Sequence, residues 1–176
     1  MRIIAGTLGG RTFDAPKGHR THPMSELVRG ALFNALGELN NLSILDAYAG
    51  SGAISFEAVS RGAKHVTAIE VDKTAYQTIV HNIESLGLGL QIKATRANIA
   101  GWLQHNAGAR FDVIICDPPY DNVESLVLVQ LSSHLNNGGL FVCSLPPAAS
   151  LILPGTFHKL SQKSYGDAAL HFYRRS

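Results

Sequence analysis

The stretch that decides the fold is residues 43–52, SILDAYAGSG, in which a short apolar run leads into two closely spaced glycines. Residues 43–45 are predicted to form a short buried strand, and residues 53–61 a helix that Gly62 ends. Glycine permits positive φ and a close approach of the backbone to a ligand. A strand, a glycine turn and a helix in this order indicate an open parallel sheet, whose ligands bind beyond the carboxyl ends of the strands.

The same alternation of strands and helices continues along the chain. It predicts an α/β fold of Rossmann-like type, with a mostly parallel seven-stranded sheet and helices on both faces. After the first strand, further strands are predicted at residues 65–69, 90–94, 111–116 and 139–144, helices at 73–86, around Trp102-Leu103 and at 123–135, and a closing hairpin at 157–163 and 168–173.

The first 36 residues are predicted to be an extension of this core. Residues 1–15 are typical of a short hairpin with Gly9-Gly10 in its turn, and residues 18–23 of a loop. Ser25 is a suitable N-cap for the helix that follows, which would end near Leu36. We therefore predict a hairpin and helix extension at residues 1–36 and the main domain at residues 37–176.

Composition restricts the class of protein. The chain has 176 residues, of which 45% are hydrophobic and 16% charged, and this suits one globular domain. No apolar run is long enough to span a bilayer and no secretory leader is evident, so we expect a cytoplasmic protein without a membrane partner. Cys116 and Cys143 are expected to be reduced core thiols, and the eight histidines show no ligand spacing, so no metal is predicted. A monomer is the default.

The net charge of +2 is unevenly distributed. Both ends of the chain are basic, whereas most acidic residues lie in the middle. Two basic ends suit a partner that carries phosphates, and an ordinary solvated surface would explain them equally well.

The glycine turn raises the question of which nucleoside cofactor it serves. Glu70 is predicted at the end of the second strand, where an acid can accept both ribose hydroxyls. A dinucleotide site needs a third glycine where this chain has Ser55, and Asp46 would lie close to the pyrophosphate. S-adenosylmethionine carries a cationic sulfur and an ammonium group instead, so the charges favour it. Asn98 either contacts the adenine edge or caps a helix, and the sequence leaves both interpretations open.

The most specific feature is Asp117-Pro118-Pro119-Tyr120, directly after the predicted fourth strand. Two prolines remove two backbone donors and stiffen the turn. The Asp carboxylate and a proline carbonyl can then accept the two hydrogens of an exocyclic amino group, which directs the nitrogen lone pair toward the methyl group. Tyr120 offers a ring on which a flat base can stack. The sequence thus predicts methylation of an amino nitrogen, for which positioning is the main catalytic device.

These two motifs together resemble a class I S-adenosylmethionine-dependent methyltransferase that modifies an amino nitrogen. A narrower resemblance is to the RsmD-type methyltransferases, which modify guanine N2 in bacterial small-subunit (16S) ribosomal RNA. It rests on the residues Met1-Arg2-Ile3-Ile4-Ala5-Gly6, Gly10-Arg11, Val28-Arg29, Leu32-Phe33-Asn34 and the tail Phe172-Tyr173-Arg174-Arg175.

The resemblance, with the residues adjoining each motif, gives a set of expected site residues. The partner expected from it is ribosomal RNA or the small ribosomal subunit. The cofactor residues are Asp46, Ala47, Tyr48, Gly50, Ser51, Gly52, Glu70, Val71, Asn98 and Ile99; the catalytic residues are Asp117, Pro118, Pro119 and Tyr120; and the RNA-binding residues are Arg2, Arg11, Arg20, His22 and Arg29.

The chain also differs from the family's usual pattern. It has His22-Pro23-Met24 in place of Arg-Pro-Thr, Gly30 in place of Glu, Asn98 in place of an acidic residue, and Ser144-Leu145-Pro146 in place of an acidic pair. These differences keep open a non-catalytic cofactor-binding or RNA-binding homologue. A DNA adenine-N6 methyltransferase is a further alternative, because Asp117-Pro118-Pro119-Tyr120 suits that amino group equally well.

Overall fold

The computed structural model describes residues 1–17 and 23–176, which form two compact units, Met1–Asn98 and Ile99–Ser176. Most of the predicted loop at residues 18–23 therefore lies outside the described residues. None of the helices in the described ranges combines the length and the apolar character needed to cross a membrane.

The first unit contains three parallel strands and three helices. Their order along the chain is α1 (Glu26–Leu36), β1 (Ser43–Asp46), α2 (Ala53–Ser60), β2 (His65–Glu70), α3 (Lys73–Leu86) and β3 (Ile92–Arg96). The strands lie in the order β3-β2-β1, with Ser43 paired to His65 and Val66 to Ile92. Ser25 caps α1 by accepting the N–H of Val28, as predicted.

The second unit contains four strands and two helices. Its elements are α4 (Ile99–His105), β4 (Phe111–Cys116), α5 (Ser125–Ser132), β5 (Leu135–Leu145), β6 (Phe157–Tyr165) and β7 (Ala168–Arg175). The strand order is β4-β5-β7-β6, in which β4 and β5 are parallel and the other two pairs are antiparallel. Cys116 and Cys143 are buried and form no disulfide, as predicted.

The seven predicted strands are all present in the described residues, and two of them begin at a different residue. β3 begins two residues later than predicted. β5 begins at Leu135 rather than at residue 139, and α5 is correspondingly shorter. The reason is a register irregularity, because Phe111 pairs with Leu135 whereas Val113 pairs with Leu140. The extra residues of β5, 135–138, were predicted partly as the end of a helix and partly as a loop.

The predicted N-terminal hairpin is present only as a chain reversal. A single antiparallel bridge joins Arg2 to Thr12, and the N–H of Ile3 donates to the Arg11 carbonyl at 2.9 Å. Longer strands do not form in residues 1–15, because the side chain of Glu57 accepts the backbone N–H groups of residues 4 and 5 instead.

Glu57 of α2 is the main anchor of this N-terminal segment. Its carboxylate is fully buried and accepts the N–H of Ile4 at 2.7 Å and that of Ala5 at 3.1 Å. It also accepts Arg61 Nε at 2.7 Å and lies 3.9 Å from Nε of the buried Arg29. Four donors or cations thus converge on one carboxylate inside the first unit.

A second anchor lies further along the segment. Asn82 of α3 accepts the N–H of Asp14 at 3.0 Å and donates to its carbonyl at 2.9 Å. The ring of Phe13 packs edge-on against Phe56, with 4.9 Å between centroids. The N-terminal segment is therefore part of the Met1–Asn98 unit, and the predicted boundary after residue 36 falls inside that unit.

Removing the Glu57 carboxylate should destabilise the protein strongly. Glu57→Ala leaves the buried Arg29 without its countercharge and frees two backbone N–H groups, so we expect a loss of about 3–5 kcal/mol. Urea unfolding measures the loss. Glu38→Ala, which removes an exposed carboxylate, is the control and should change stability by less than about 0.5 kcal/mol. A Glu57→Ala variant as stable as this control would contradict the anchoring role.

Candidate active site

The predicted cofactor residues of the first unit lie mainly at the carboxyl ends of two neighbouring parallel strands. β1 ends at Asp46 and β2 ends at Glu70. The register pairs Asp46 with Ala68, so both strands finish at the same edge of the sheet. The glycine turn that follows β1 thus begins beside the end of β2.

Asp46 is held by a residue of the helix after the turn. Its side chain is buried, and Ser55 Oγ of α2 donates to its Oδ2 at 2.7 Å. Ser55 itself is fully buried. Sequence reasoning used Ser55 only as the position where a dinucleotide site would need glycine. The structure gives it a positive role, because its hydroxyl orients the carboxylate at the start of the turn.

Glu70 ties the glycine turn to the end of β2. One carboxylate oxygen accepts the N–H of Gly50 at 2.7 Å and the other accepts the N–H of Asp72 at 2.7 Å. Burial raises the pKa of Glu70, and these two backbone hydrogen bonds oppose that rise. A third backbone hydrogen bond, from Val71, also lowers this pKa. Because an ionised carboxylate has about four acceptor sites, Glu70 can still accept one hydroxyl.

The two glycines of the turn are subject to different steric constraints. Gly50 has φ +53° and Gly52 has φ +79°. A Cβ on Gly52 would lie 2.8 Å from Cε2 of Phe56, so packing against α2 requires glycine there. A Cβ on Gly50 would meet a single described atom, the Tyr48 carbonyl oxygen, at 4.0 Å. The backbone at Gly50 is therefore open to a ligand.

The remaining predicted cofactor residues vary in exposure. Ala47 and Ser51 are buried, and Tyr48 is partly exposed. Val71 is exposed just after β2, and Asn98 is exposed just after β3. Ile99 is buried and begins α4 of the second unit. Hydrogen bonds therefore organise Asp46, Gly50 and Glu70. Ala47, Tyr48, Ser51 and Val71 adjoin them in sequence, whereas Asn98 and Ile99 follow β3.

In the second unit, Asp117 and Tyr120 converge on a serine. Cys116 of β4 is the register partner of Cys143 of β5, so Asp117 and Ser144 emerge side by side. The Ser144 hydroxyl lowers the pKa of Asp117, and the Tyr120 hydroxyl lies 2.7 Å from Ser144 Oγ. Sequence reasoning recorded Ser144 only as a difference from the family pattern. Its place at the carboxyl end of the apolar strand β5 was the available signal for a site residue.

The surroundings of Asp117 change its acidity. Burial raises the pKa of Asp117 to about 6, and the hydrogen bond to Ser144 acts against this rise. Burial also raises the pKa of the Tyr120 phenol. Asp117 is therefore a carboxyl that both binds and releases a proton close to neutral pH.

The two prolines of this turn differ in exposure and in hydrogen bonding. Pro118 is buried and Pro119 is exposed. The Pro119 carbonyl already accepts the N–H of Asn122 at 3.1 Å, which favours Pro118 as the proline acceptor for a bound amino group. Tyr120 remains accessible to a base, since 37% of the residue is exposed.

The predicted RNA-contacting residues do not all reach the surface. Arg2 is exposed and pairs with Glu26 at 2.7 Å, and Arg11 is exposed with one nitrogen 3.4 Å from the Leu86 carbonyl. Arg20 and His22 lie outside the described residues. The prediction for Arg29 is wrong. Its side chain is 1% exposed, donates to the Arg2 carbonyl at 2.8 Å and faces Glu57, so it stabilises the N-terminal segment and cannot meet a phosphate.

The model of the protein family described as "Conserved hypothetical protein 95" matches residues 1–174. The protein named "Ribosomal RNA small subunit methyltransferase D" of Buchnera aphidicola is 34% identical, over 97% of this chain and 91% of the relative. The solved structure of the putative methyltransferase yhhF of Escherichia coli is 28% identical and has a TM-score of 0.88, with 99% of this chain and 97% of that chain covered. These similarities confirm the predicted methyltransferase fold.

A more distant structure adds evidence about the fold alone. The putative methyltransferase SMU.776, crystallised as a complex with SAH, is 16% identical and has a TM-score of 0.68. The similarity covers 84% of this chain and 48% of that one.

Replacing Asp117 by Asn should stabilise the protein at alkaline pH. The carboxyl pKa rises from 3.8 to about 6 on folding, so the native state holds the proton more tightly than the unfolded chain. Its contribution to stability is complete below about pH 4, falls as the pH rises toward about 6, and is lost above that. We expect Asp117→Asn to exceed wild type by roughly 1–3 kcal/mol at about pH 8 and to equal it below about pH 4.

Urea unfolding of both proteins at the two pH values tests this expectation. The difference between variant and wild type isolates Asp117 from other titrating groups. A difference that is independent of pH would mean that burial does not raise the pKa of this carboxyl.

Proposed function

The chain belongs to the RsmD-type methyltransferase family, described as "Conserved hypothetical protein 95", and we propose that it methylates the exocyclic N2 of a guanine in small-subunit (16S) ribosomal RNA. The observation that carries this proposal is the half-buried Asp117 carboxyl beside Tyr120, directly after β4. The name of the Buchnera relative supports small-subunit ribosomal RNA as the substrate. The choice of guanine N2 goes beyond that name and rests on the sequence resemblance.

The cofactor we propose is S-adenosylmethionine, which supplies an electrophilic methyl group when bound. The first unit suits it in two respects. The buried Asp46 carboxylate, fixed by Ser55, favours a cationic group and disfavours a pyrophosphate. The remaining acceptor site of Glu70 suits a ribose hydroxyl, and Gly50 leaves its backbone open. We assign Asp46, Gly50, Ser51, Gly52 and Glu70 to cofactor binding, together with Ala47, Tyr48 and Val71, which adjoin them in sequence, and with Asn98 and Ile99, which follow β3 in sequence.

The second unit is assigned to the target base. The ionised Asp117 carboxylate accepts one hydrogen of the amino group, and the Pro118 carbonyl accepts the other. The ring of Tyr120 stacks on the base, a contact worth about 1–3 kcal/mol in single-stranded recognition. A base inside a helix cannot be reached, so the target guanine has to be swung out of its stack. Pro119 stiffens the turn that holds these groups.

The proton balance also involves Asp117. Formation of the N–C bond leaves the amino nitrogen with a surplus proton, which has to be released. Because burial raises the pKa of Asp117 to about 6, its carboxylate can receive this proton and pass it to solvent near neutral pH. Activity should therefore fall at acidic pH, where a protonated Asp117 cannot accept the amino hydrogen.

The exposed Arg2 and Arg11, with Arg20 and His22, are proposed to contact RNA phosphates, which position the substrate without reading its sequence. Arg29 is removed from this group by its burial.

The function is tested by methyl transfer to three substrates. The purified protein is incubated with labelled S-adenosylmethionine and with small ribosomal subunits from a strain that lacks this gene, with naked ribosomal RNA, or with duplex DNA. Digestion to nucleosides should give labelled N2-methylguanosine from an RNA substrate. Label only in adenine of the DNA would establish the alternative of a DNA adenine-N6 methyltransferase. Absence of label in all three would favour the non-catalytic homologue.

Asp117→Ala should abolish methyl transfer while cofactor affinity stays nearly unchanged, because its role is confined to the base. Transfer is measured with labelled cofactor, and affinity by calorimetry with S-adenosylmethionine. Asp121→Ala, which removes an exposed carboxylate four residues further along, is the matched control and should retain activity. Weakened cofactor binding in Asp117→Ala would contradict the assignment to the base.

Glu70→Gln should weaken S-adenosylmethionine binding about tenfold or more. The amide replaces one acceptor oxygen by a donor, so it cannot satisfy both Gly50 N–H and Asp72 N–H and also bind a ribose hydroxyl. Calorimetry measures the affinity, and Glu84→Gln on the exposed side of α3 is the control. Equal affinities for the two variants would show that Glu70 does not hold the cofactor.

A further inference from the structure

We propose that Ser144 is a positioning residue for the reaction, which links the Tyr120 hydroxyl to the Asp117 carboxylate and so holds the base-stacking ring and the amino-group acceptor in one arrangement. This inference rests on the proposed function, because it concerns the same base-binding turn. It assigns a role to a position at which this chain differs from the acidic pair usual in its family.

The backbone makes Ser144 a fixed point for the more exposed turn. Ser144 lies in β5, is 2% exposed, and pairs with Leu170 of β7 on one side of the strand. On the other side, β5 is in register with β4, the strand that ends just before Asp117. Tyr120 is 24 residues away in sequence, yet its hydroxyl is within 2.7 Å of Ser144 Oγ. A strand residue held on both sides therefore anchors a turn that is otherwise stiffened only by its prolines.

The chemistry of a hydroxyl sets the direction of these hydrogen bonds. A serine hydroxyl has one hydrogen to donate and two lone pairs that accept. An ionised carboxylate can only accept, so Ser144 donates to Asp117, and the Tyr120 hydroxyl donates to Ser144. The three side chains then form one chain, Tyr120 to Ser144 to Asp117. The hydrogen bond that Ser144 donates is strongest while Asp117 is ionised, which is also the state that binds the amino group.

An acidic side chain at this position would act in the opposite way. A carboxylate beside Asp117 would raise its pKa further and would compete with it for the amino hydrogens. Serine supplies a donor at the same place and opposes the effect of burial on Asp117. The other charged group that acts on this cluster is Asp167, in the turn between β6 and β7, which raises the pKa of Tyr120. Serine thus suits a site that must keep one carboxylate ionised.

The test compares four variants of the full chain. Ser144→Ala removes the link, and Ser144→Thr restores the hydroxyl. Tyr120→Phe removes the phenolic end and keeps the ring. Ser132→Ala is the matched control, because Ser132 is an equally buried serine of the second unit whose hydroxyl donates to the Val129 carbonyl. Each variant is measured for kcat and KM over a range of pH, and the Asp117 carboxyl is titrated by carbon-13 NMR in the isolated protein.

The proposal predicts a set of linked results. In Ser144→Ala, the carboxyl pKa and the acid limb of kcat should both move to higher pH than in wild type, since the hydrogen bond that lowers this pKa is gone. The kcat at alkaline pH should fall about tenfold to a hundredfold, the usual worth of a hydrogen bond to a charged group. Ser144→Thr should recover most of this activity. Adding Tyr120→Phe to Ser144→Ala should cost little more than the larger single effect, because the three groups act as a unit.

Other results would overturn the proposal. A Ser144→Ala variant whose carboxyl pKa and acid limb match those of wild type and of Ser132→Ala shows that Ser144 does not position Asp117. If Ser144→Ala fails to fold, Tyr120→Phe decides, and an unchanged kcat in that variant overturns the link. A wild-type protein that transfers no methyl group refutes the proposed function instead. In that case the NMR titration still reports whether Ser144 and Asp117 are coupled.

Discussion

A carboxylate that is removed from water needs hydrogen-bond donors, and four buried or largely buried carboxyl groups organise this protein. Glu57 gathers the N-terminal backbone and Arg61. Glu70 binds the glycine turn and the start of α3. Asp46 is held by Ser55, and Asp117 by Ser144. Most of the donors belong to a different element from the acid or to the turn next to it. These carboxyl groups therefore connect segments that secondary structure alone would not bring together.

Two of these groups are held by serines, and the consequence differs from that of an ion pair. Ser55 and Ser144 orient a carboxylate without neutralising it. The acid proposed to face a cationic ligand, Asp46, and the acid proposed to bind an amino group, Asp117, are thus both oriented by neutral hydroxyl groups. By contrast, Glu57 faces Arg29 and Arg61 and serves stability alone. The type of donor thus separates the acids proposed to bind ligands from the acid that holds the fold.

The parts of the fold that follow from short-range patterns could be predicted from the sequence. The seven strands, the helix caps at Ser25 and Gly87, and the turn at Gly50 and Gly52 all depend on residues close together in the chain. The bounds of β5 could not be predicted in this way. They depend on an irregular pairing with β4, in which Phe111 meets Leu135 and Val113 meets Leu140. Pairing between strands depends on two segments together, so the sequence of one segment does not determine it.

The sequence by itself determined the methyltransferase fold, the glycine turn and the motif from Asp117 to Tyr120, because alternation, glycine and proline act within a few residues. Only the tertiary structure decided what the polar side chains do. Arg29 is one of several basic residues in the sequence, yet its partner Glu57 makes it a core residue. Ser144 becomes part of the site because strand register brings it beside Asp117. The physical reason is that hydrogen bonds and ion pairs form between groups 24 to 53 residues apart, and their distances exist only once the strands have paired.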